Sequence, residues 1–146
     1  MAVNSKQKGA RFERALARKF REYGYDEARR TAQYCGNTGE ASDVVGLPGL
    51  HIEAKHQETM RLYEWVAQAV RDAEAGGEKR LPAVFHKKNN ADILVTMRLE
   101  DFMELYREWE AGLYLNTTEI EIRSIENEID ETAEAGNRRK KERKAT

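Results

Sequence analysis

Ser42-Asp43-Val44-Val45-Gly46-Leu47-Pro48-Gly49-Leu50-His51-Ile52-Glu53-Ala54-Lys55 is the stretch on which the reading of this chain turns. Val44 and Val45 are β-branched, and Gly46 to Gly49 with Pro48 read as a turn. Leu50 to Lys55 alternate in polarity, as a strand with two unlike faces does. Strand, turn and strand make a hairpin. Residues i and i+2 of a strand share a face, so Glu53 and Lys55 point one way, and Ile52 and Ala54 the other. The hairpin brings Asp43 beside Glu53, and two carboxylates and one ammonium converge. Close carboxylates repel unless a cation sits between them, and hard oxygen donors suit Mg²⁺ or Mn²⁺. Such a cation lowers the pKa of water and polarises a phosphoryl oxygen. Lys55 then positions the water or stabilises charge building on the phosphate. Phosphodiester hydrolysis fits these groups. A Glu53–Lys55 surface pair on an edge strand, worth little energetically, also fits the E-x-K spacing alone.

Around this hairpin the pattern alternates between helix and strand. Phe12, Leu16 and Phe20 recur every four residues and predict a helix over 8–23, stopped by Gly24. Residues 27–34 have some extended character and predict a short strand, and 35–42 read as a loop. Leu62, Trp65, Val66, Ala69, Val70 and Ala73 share a helical face over 61–75, ended by Gly76 and Gly77. Strands follow at 83–86 and 93–96 around a polar turn, then a helix over 99–111. Beyond Gly112 the pattern weakens: Thr118 with Glu121 fits a capping box, while Ile120 and Ile122 also alternate, so 114–123 reads as helix or as extended chain. Residues 136–146 have too little to bury and read as a disordered basic tail. The order predicts an α/β (α+β) fold, a mixed central sheet flanked by helices with an extra α-rich C-terminal segment. The expected division is a domain over 1–112, an acidic and helical extension over 113–135, and the tail.

The chain has 146 residues, 40% hydrophobic and 35% charged, with a mean hydropathy of −0.84. That length fits one domain with a real core. No apolar run reaches the ~18 residues of a membrane span, and no secretory signal is evident. Cys35 stands alone, which excludes an intrachain disulfide and a cysteine-cluster zinc site and suits a reducing cytosol. The net charge of −1 argues against a strongly basic DNA-binding domain, but the charges are segregated. Residues 1–21 carry seven bases against Glu13 alone, 100–134 carry twelve acids and two bases, and 138–144 carry six bases and one acid. Segregation of this kind is what a polyanion-binding face needs, and solvated helix faces produce it too. Arg29 and Arg30 precede the 35–42 loop, and Lys87 and Lys88 sit on a turn. Such basic tips suit phosphate contacts. The three histidines lack ligand spacing, although His51 shares a face with Glu53. Trp65 and Trp109 lie on apolar stripes and read as core or interface.

Asp43…Glu53-Ala54-Lys55 resembles the PD-(D/E)XK nuclease signature. Lys8-Gly9-x-x-Phe12-Glu13-Arg14 resembles the opening of the archaeal-type Holliday junction resolvases of that superfamily, and Lys6 to Tyr106 is similar to small phage-encoded members. Further matching pieces are Gln68-Ala69-Val70-Arg71-Asp72-Ala73, Val84 to Asn89 and Leu94 to Phe102. The resemblance implies a restriction-endonuclease-like fold. It also implies a divalent-metal-dependent endonuclease on branched DNA, acting in recombination as a homodimer in the bacterial host cytoplasm. Asp43, Glu53 and the Ala54 carbonyl would hold Mg²⁺, with Mn²⁺ substituting. Lys55 would be the catalytic lysine, Glu13 a ligand to a second metal directly or through water, and Gln68 a supporting residue. Lys6, Lys8, Arg11, Arg29, Arg30, Lys87 and Lys88 would contact DNA. Forks, flaps or debranching before genome packaging are alternative substrates, and a non-catalytic DNA-binding adaptor is the alternative role. Two positions depart from the pattern: Ser42 stands where proline is usual, and Ile93 where tryptophan is expected.

Overall fold

The computed structural model describes residues 4–31 and 42–145. Cys35 and the predicted loop, apart from Ser42, lie outside the described residues. The chain divides into two compact units, Met1–Phe102 and Met103–Thr146.

The first unit is a five-stranded sheet between two helices. Helix α1 spans Ser5–Glu22 and is capped by Asn4, whose side chain accepts from the Lys6 N–H at 3.1 Å. Strands β1 (Arg29–Arg30), β2 (Val44–Val45) and β3 (Leu50–His56) precede helix α2 (Leu62–Ala75), and β4 (Leu81–Lys87) and β5 (Leu94–Thr96) follow it. The spatial order is β1-β2-β3-β4-β5, with every pair antiparallel except β3 and β4. That parallel pair is joined through α2, the kind of crossover that parallel neighbours require. The restriction-endonuclease-like mixed sheet predicted from the sequence is therefore present.

β3 is central and separates two cores. Its Ile52 and Ala54 pack with Phe12, Leu16 and Phe20 of α1 and with Ala83 and Phe85 of β4. Val84, one residue out of phase with Ala83 and Phe85, packs instead with Trp65 and Ala69 of α2. This period of two puts α1 on one face and α2 on the other. Val44, Ile52 and Val84 are fully buried, and each such side chain contributes about 1.5–3 kcal/mol. The remaining face of β3 carries His51, Glu53 and Lys55, and His51 and Glu53 are buried polar groups.

Helix α3 runs over Leu99–Lys144. The helix expected over 99–111 does not end there, residues 114–123 are helical rather than extended, and residues 136–144, expected as part of a disordered tail, continue the helix. One glycine inside a helix costs only about 1 kcal/mol relative to alanine. Thr118 caps nothing, because its hydroxyl donates back to the Tyr114 carbonyl at 2.9 Å. Near the C-terminus Arg138 pairs with Glu134 one turn earlier. Lys141, Arg143 and Lys144 occupy the last turn, where cations complement the helix dipole. These local electrostatics favour the helix at its C-terminal end.

Candidate active site

The site forms where β2, β3 and α2 meet. Asp43 immediately precedes β2, and its backbone is tied on both sides: its N–H donates to the Ile52 carbonyl at 2.8 Å, and its carbonyl accepts from the Thr31 N–H at 3.1 Å. Its carboxylate Oδ2 accepts the Ala54 N–H at 2.8 Å. Ser42 fastens the same corner. Its hydroxyl accepts from the Ile52 N–H at 2.8 Å and donates to the Val44 carbonyl at 2.7 Å. The residue that departs from the proline of the motif thus keys β2 to β3.

Glu53 lies mid-strand on β3 and is 3% exposed. Lys55, two residues on, sets Nζ 2.8 Å from Glu53 Oε1 and donates to Gln68 Oε1 at 3.2 Å. The E-x-K pair is therefore not a surface pair: its ammonium is held between a buried carboxylate and an amide on α2.

The electrostatics follow from crowding acids in a buried place. Asp43 is pushed up from 3.8 to about 7, first by burial and then by the Glu53 carboxylate. Glu13 adds to this, while the Ala54 N–H and Lys55 oppose it. Glu53 is also raised, chiefly by burial, with Lys55 opposing and Asp72 and Glu13 adding repulsion. Two buried carboxylates that resist ionising beside one another are an oxygen donor set with a deficit of positive charge. A divalent hard cation fits it.

Glu13 comes from α1 and is buried. Its carboxylate is paired with the Arg30 guanidinium of β1. It is close enough to raise Asp43 and Glu53, yet it is bound to a cation already within the chain. Of the other residues expected to touch DNA, Lys6, Arg11, Arg29 and Lys88 are exposed and Lys8 and Lys87 half-buried. Lys8 and Lys87 both lie near His56 and, after burial, help to lower its pKa. His56 stacks edge-on against Phe12 with ring centroids 5.6 Å apart and pairs with Asn89 at 3.0 Å. Lys8 and Lys87 therefore stand at the end of β3 where Lys55 lies, whereas Arg29 lines a concavity at its other end. Arg30 serves Glu13 instead.

Sequence reasoning missed Asp72. It sits one helical turn after Gln68 on α2 and faces His51 and Glu53. The i, i+4 spacing of Gln68 and Asp72 was the available signal. Burial lowers the His51 pKa and favours its neutral form. A large concavity lined by Tyr25, Arg29, Gly46, Leu50 and Arg80 lies at the other end of β3 and includes none of the acidic site.

A family model described as "Phage putative PDDEXK endonuclease" matches residues 4–135. No curated protein and no solved structure gives a match. Among the described residues no helix is long and apolar enough to cross a membrane. The matched span takes in Asp43, Glu53, Ala54 and Lys55 and extends well into α3. The chain belongs to this phage PDDEXK endonuclease family, part of a nuclease class that uses divalent metals.

Proposed function

We propose that this protein is a Mg²⁺-dependent DNA endonuclease that cuts branched DNA, with four-way junctions as its substrate. The observation that carries the reading is Lys55, held between Glu53 and Gln68 beside the raised carboxyl of Asp43. Asp43, Glu53 and the Ala54 carbonyl would hold the cation. When bound, the cation polarises a phosphoryl oxygen and makes water a better nucleophile at neutral pH. Lys55 supplies a fixed positive charge where the phosphate gains negative charge in the transition state. Gln68 orients that ammonium. Glu13, neutralised by Arg30, shapes the field at the two ligand carboxylates. Lys6, Lys8, Arg11, Arg29, Lys87 and Lys88 hold the phosphate backbone without reading sequence.

The branched substrate is supported by the resemblance of Lys8 to Arg14 to junction resolvases and by a surface suited to two-fold assembly. Leu115, Thr118, Ile122, Ile125, Ile129 and Thr132 of α3 alternate in spacings of three and four residues and are all exposed. That is the seam of a coiled coil. A second copy of this chain, running antiparallel, would cover it. Pairing centred on Ile122 sets the basic 138–144 end beside the acid-rich beginning of the partner helix. A two-fold dimer carries two sites related like the two cut strands of a junction.

The test is incubation with a labelled four-way junction and with linear duplex, in Mg²⁺ or EDTA. Paired Mg²⁺-dependent nicks confined to the junction are expected. Equal cutting of duplex would keep the nuclease and reject the branched substrate. No cutting with Mg²⁺ or Mn²⁺ would leave a binding role.

A further inference from the structure

The face of β3 that carries Glu53 and Lys55 also carries His51, and α2 brings Asp72 to it. One ring nitrogen of His51 and one carboxylate oxygen each from Glu53 and Asp72 lie within 4.8 Å of one another. Among the described residues this is the one group of three such ligands so close together. Glu13, Asp43 and Glu53 do not form such a group. His51 is 2% exposed, and its Nε2 is buried with no hydrogen-bond partner. A buried polar atom without a partner is uncommon, because the lost hydration is not replaced. Here the orphan belongs to a residue whose neighbours are two carboxylates.

We propose that His51, Glu53 and Asp72 form a second cation site, selective for a transition ion such as Zn²⁺ over Mg²⁺. One imidazole and two carboxylates are a mixed nitrogen and oxygen set, which Zn²⁺ takes readily. Mg²⁺ prefers oxygen alone and keeps several waters. The donors Asp43, Glu53 and Ala54 are all oxygen, so the two sites differ in chemistry while sharing Glu53. Asp72 is half-buried, which gives an ion a way in. Three protein ligands leave room for water in the remaining positions. The inference goes beyond the nuclease reading, since ion binding at His51 does not require that the protein cut DNA. The competing account is a water molecule on Nε2.

The experiment is a Zn²⁺ titration of protein carrying ¹⁵N-labelled histidine, with excess Mg²⁺ present, following the imidazole nitrogens of His51, His56 and His86 by NMR. One equivalent of Zn²⁺ should shift His51 and leave His56 and His86 in place. Asp72→Asn should weaken Zn²⁺ binding about tenfold or more, and Asp43→Asn should keep the His51 shift. The dispersion of the same spectra reports folding. Should Asp72→Asn not fold, His51→Gln followed by calorimetry with Zn²⁺ must lose the same equivalent. A His51 signal indifferent to Zn²⁺, or an equal response in Asp72→Asn, overturns the site and leaves the water. Loss of the shift in Asp43→Asn overturns it too, assigning the ion to the all-oxygen site. Inability to cut DNA with the His51 shift intact would count against the nuclease reading alone.

Discussion

Lys55 and Asp43 show how neighbours define a side chain. In the sequence Lys55 is one of many lysines; in the fold its ammonium is pinned by Glu53 and Gln68. Lys55→Ala should leave junction affinity nearly unchanged and lower cleavage roughly 10²–10³-fold, the usual loss when one fixed donor to a transition state is removed. Gel-shift and single-turnover assays on the same substrate separate the two effects, and a parallel fall in binding would make Lys55 mainly a DNA contact. Asp43 releases its proton at about 7 in the fold against 3.8 ordinarily. Between those values the unfolded chain gives up the proton while the folded chain keeps it. The contribution of Asp43 to stability is therefore lost as pH rises from about 4 to about 7. In metal-free buffer Asp43→Asn should become more stable than the parent by an increment that grows over this window and then levels. Urea unfolding at several pH values with EDTA measures it, and a constant difference would refute the assignment.

The turn between β2 and β3 sets the distance between Asp43 and Glu53. Gly46 has φ +105°, and a Cβ there would lie 2.5 Å from the Ala28 Cα. Both the left-handed backbone and the space require glycine. Gly46→Ala should cost about 3 kcal/mol and shift the hairpin. Denaturant midpoints check the first effect and cleavage the second; an unaffected midpoint would show that the turn yields freely. In the same way α2 carries Gln68 and Asp72 one turn apart, so a single helix face supplies both groups. The sequence made α2 legible through its apolar stripe, but its polar face looked like any solvated one. α3 was harder still. Gly112 and the charged 136–144 segment are ordinary signs of a helix end, yet α3 runs through both.

The first unit buries its sheet between two helices, whereas α3 has Asp101 as its single buried residue among those described. At 46 residues it is several times the usual length and leaves a row of isoleucines to water. If a second copy covers that row, Ile122→Glu with Ile125→Glu should convert a dimer to a monomer in analytical ultracentrifugation. The sheet fold should remain intact by circular dichroism. A wild-type monomer at micromolar concentration, or a variant that stays dimeric, would reject this surface. High salt should weaken the dimer as well, since acid-rich and basic ends face each other in an antiparallel pair.

What the residue order determined by itself was local: apolar periods, turn glycines, and the i, i+2 rule that put Glu53 and Lys55 on one face. With the motif spacing, these were enough for the mixed sheet, the hairpin and the acidic pair. Three things were decided only by the tertiary structure. Glu13 is neutralised by Arg30 from the sheet edge, Gln68 reaches Lys55, and Asp72 joins His51 and Glu53. Each links residues at least thirteen apart on different elements. Short-range pattern carries no information about such pairs, because which helix face meets which strand face is set by core packing on both sides of β3.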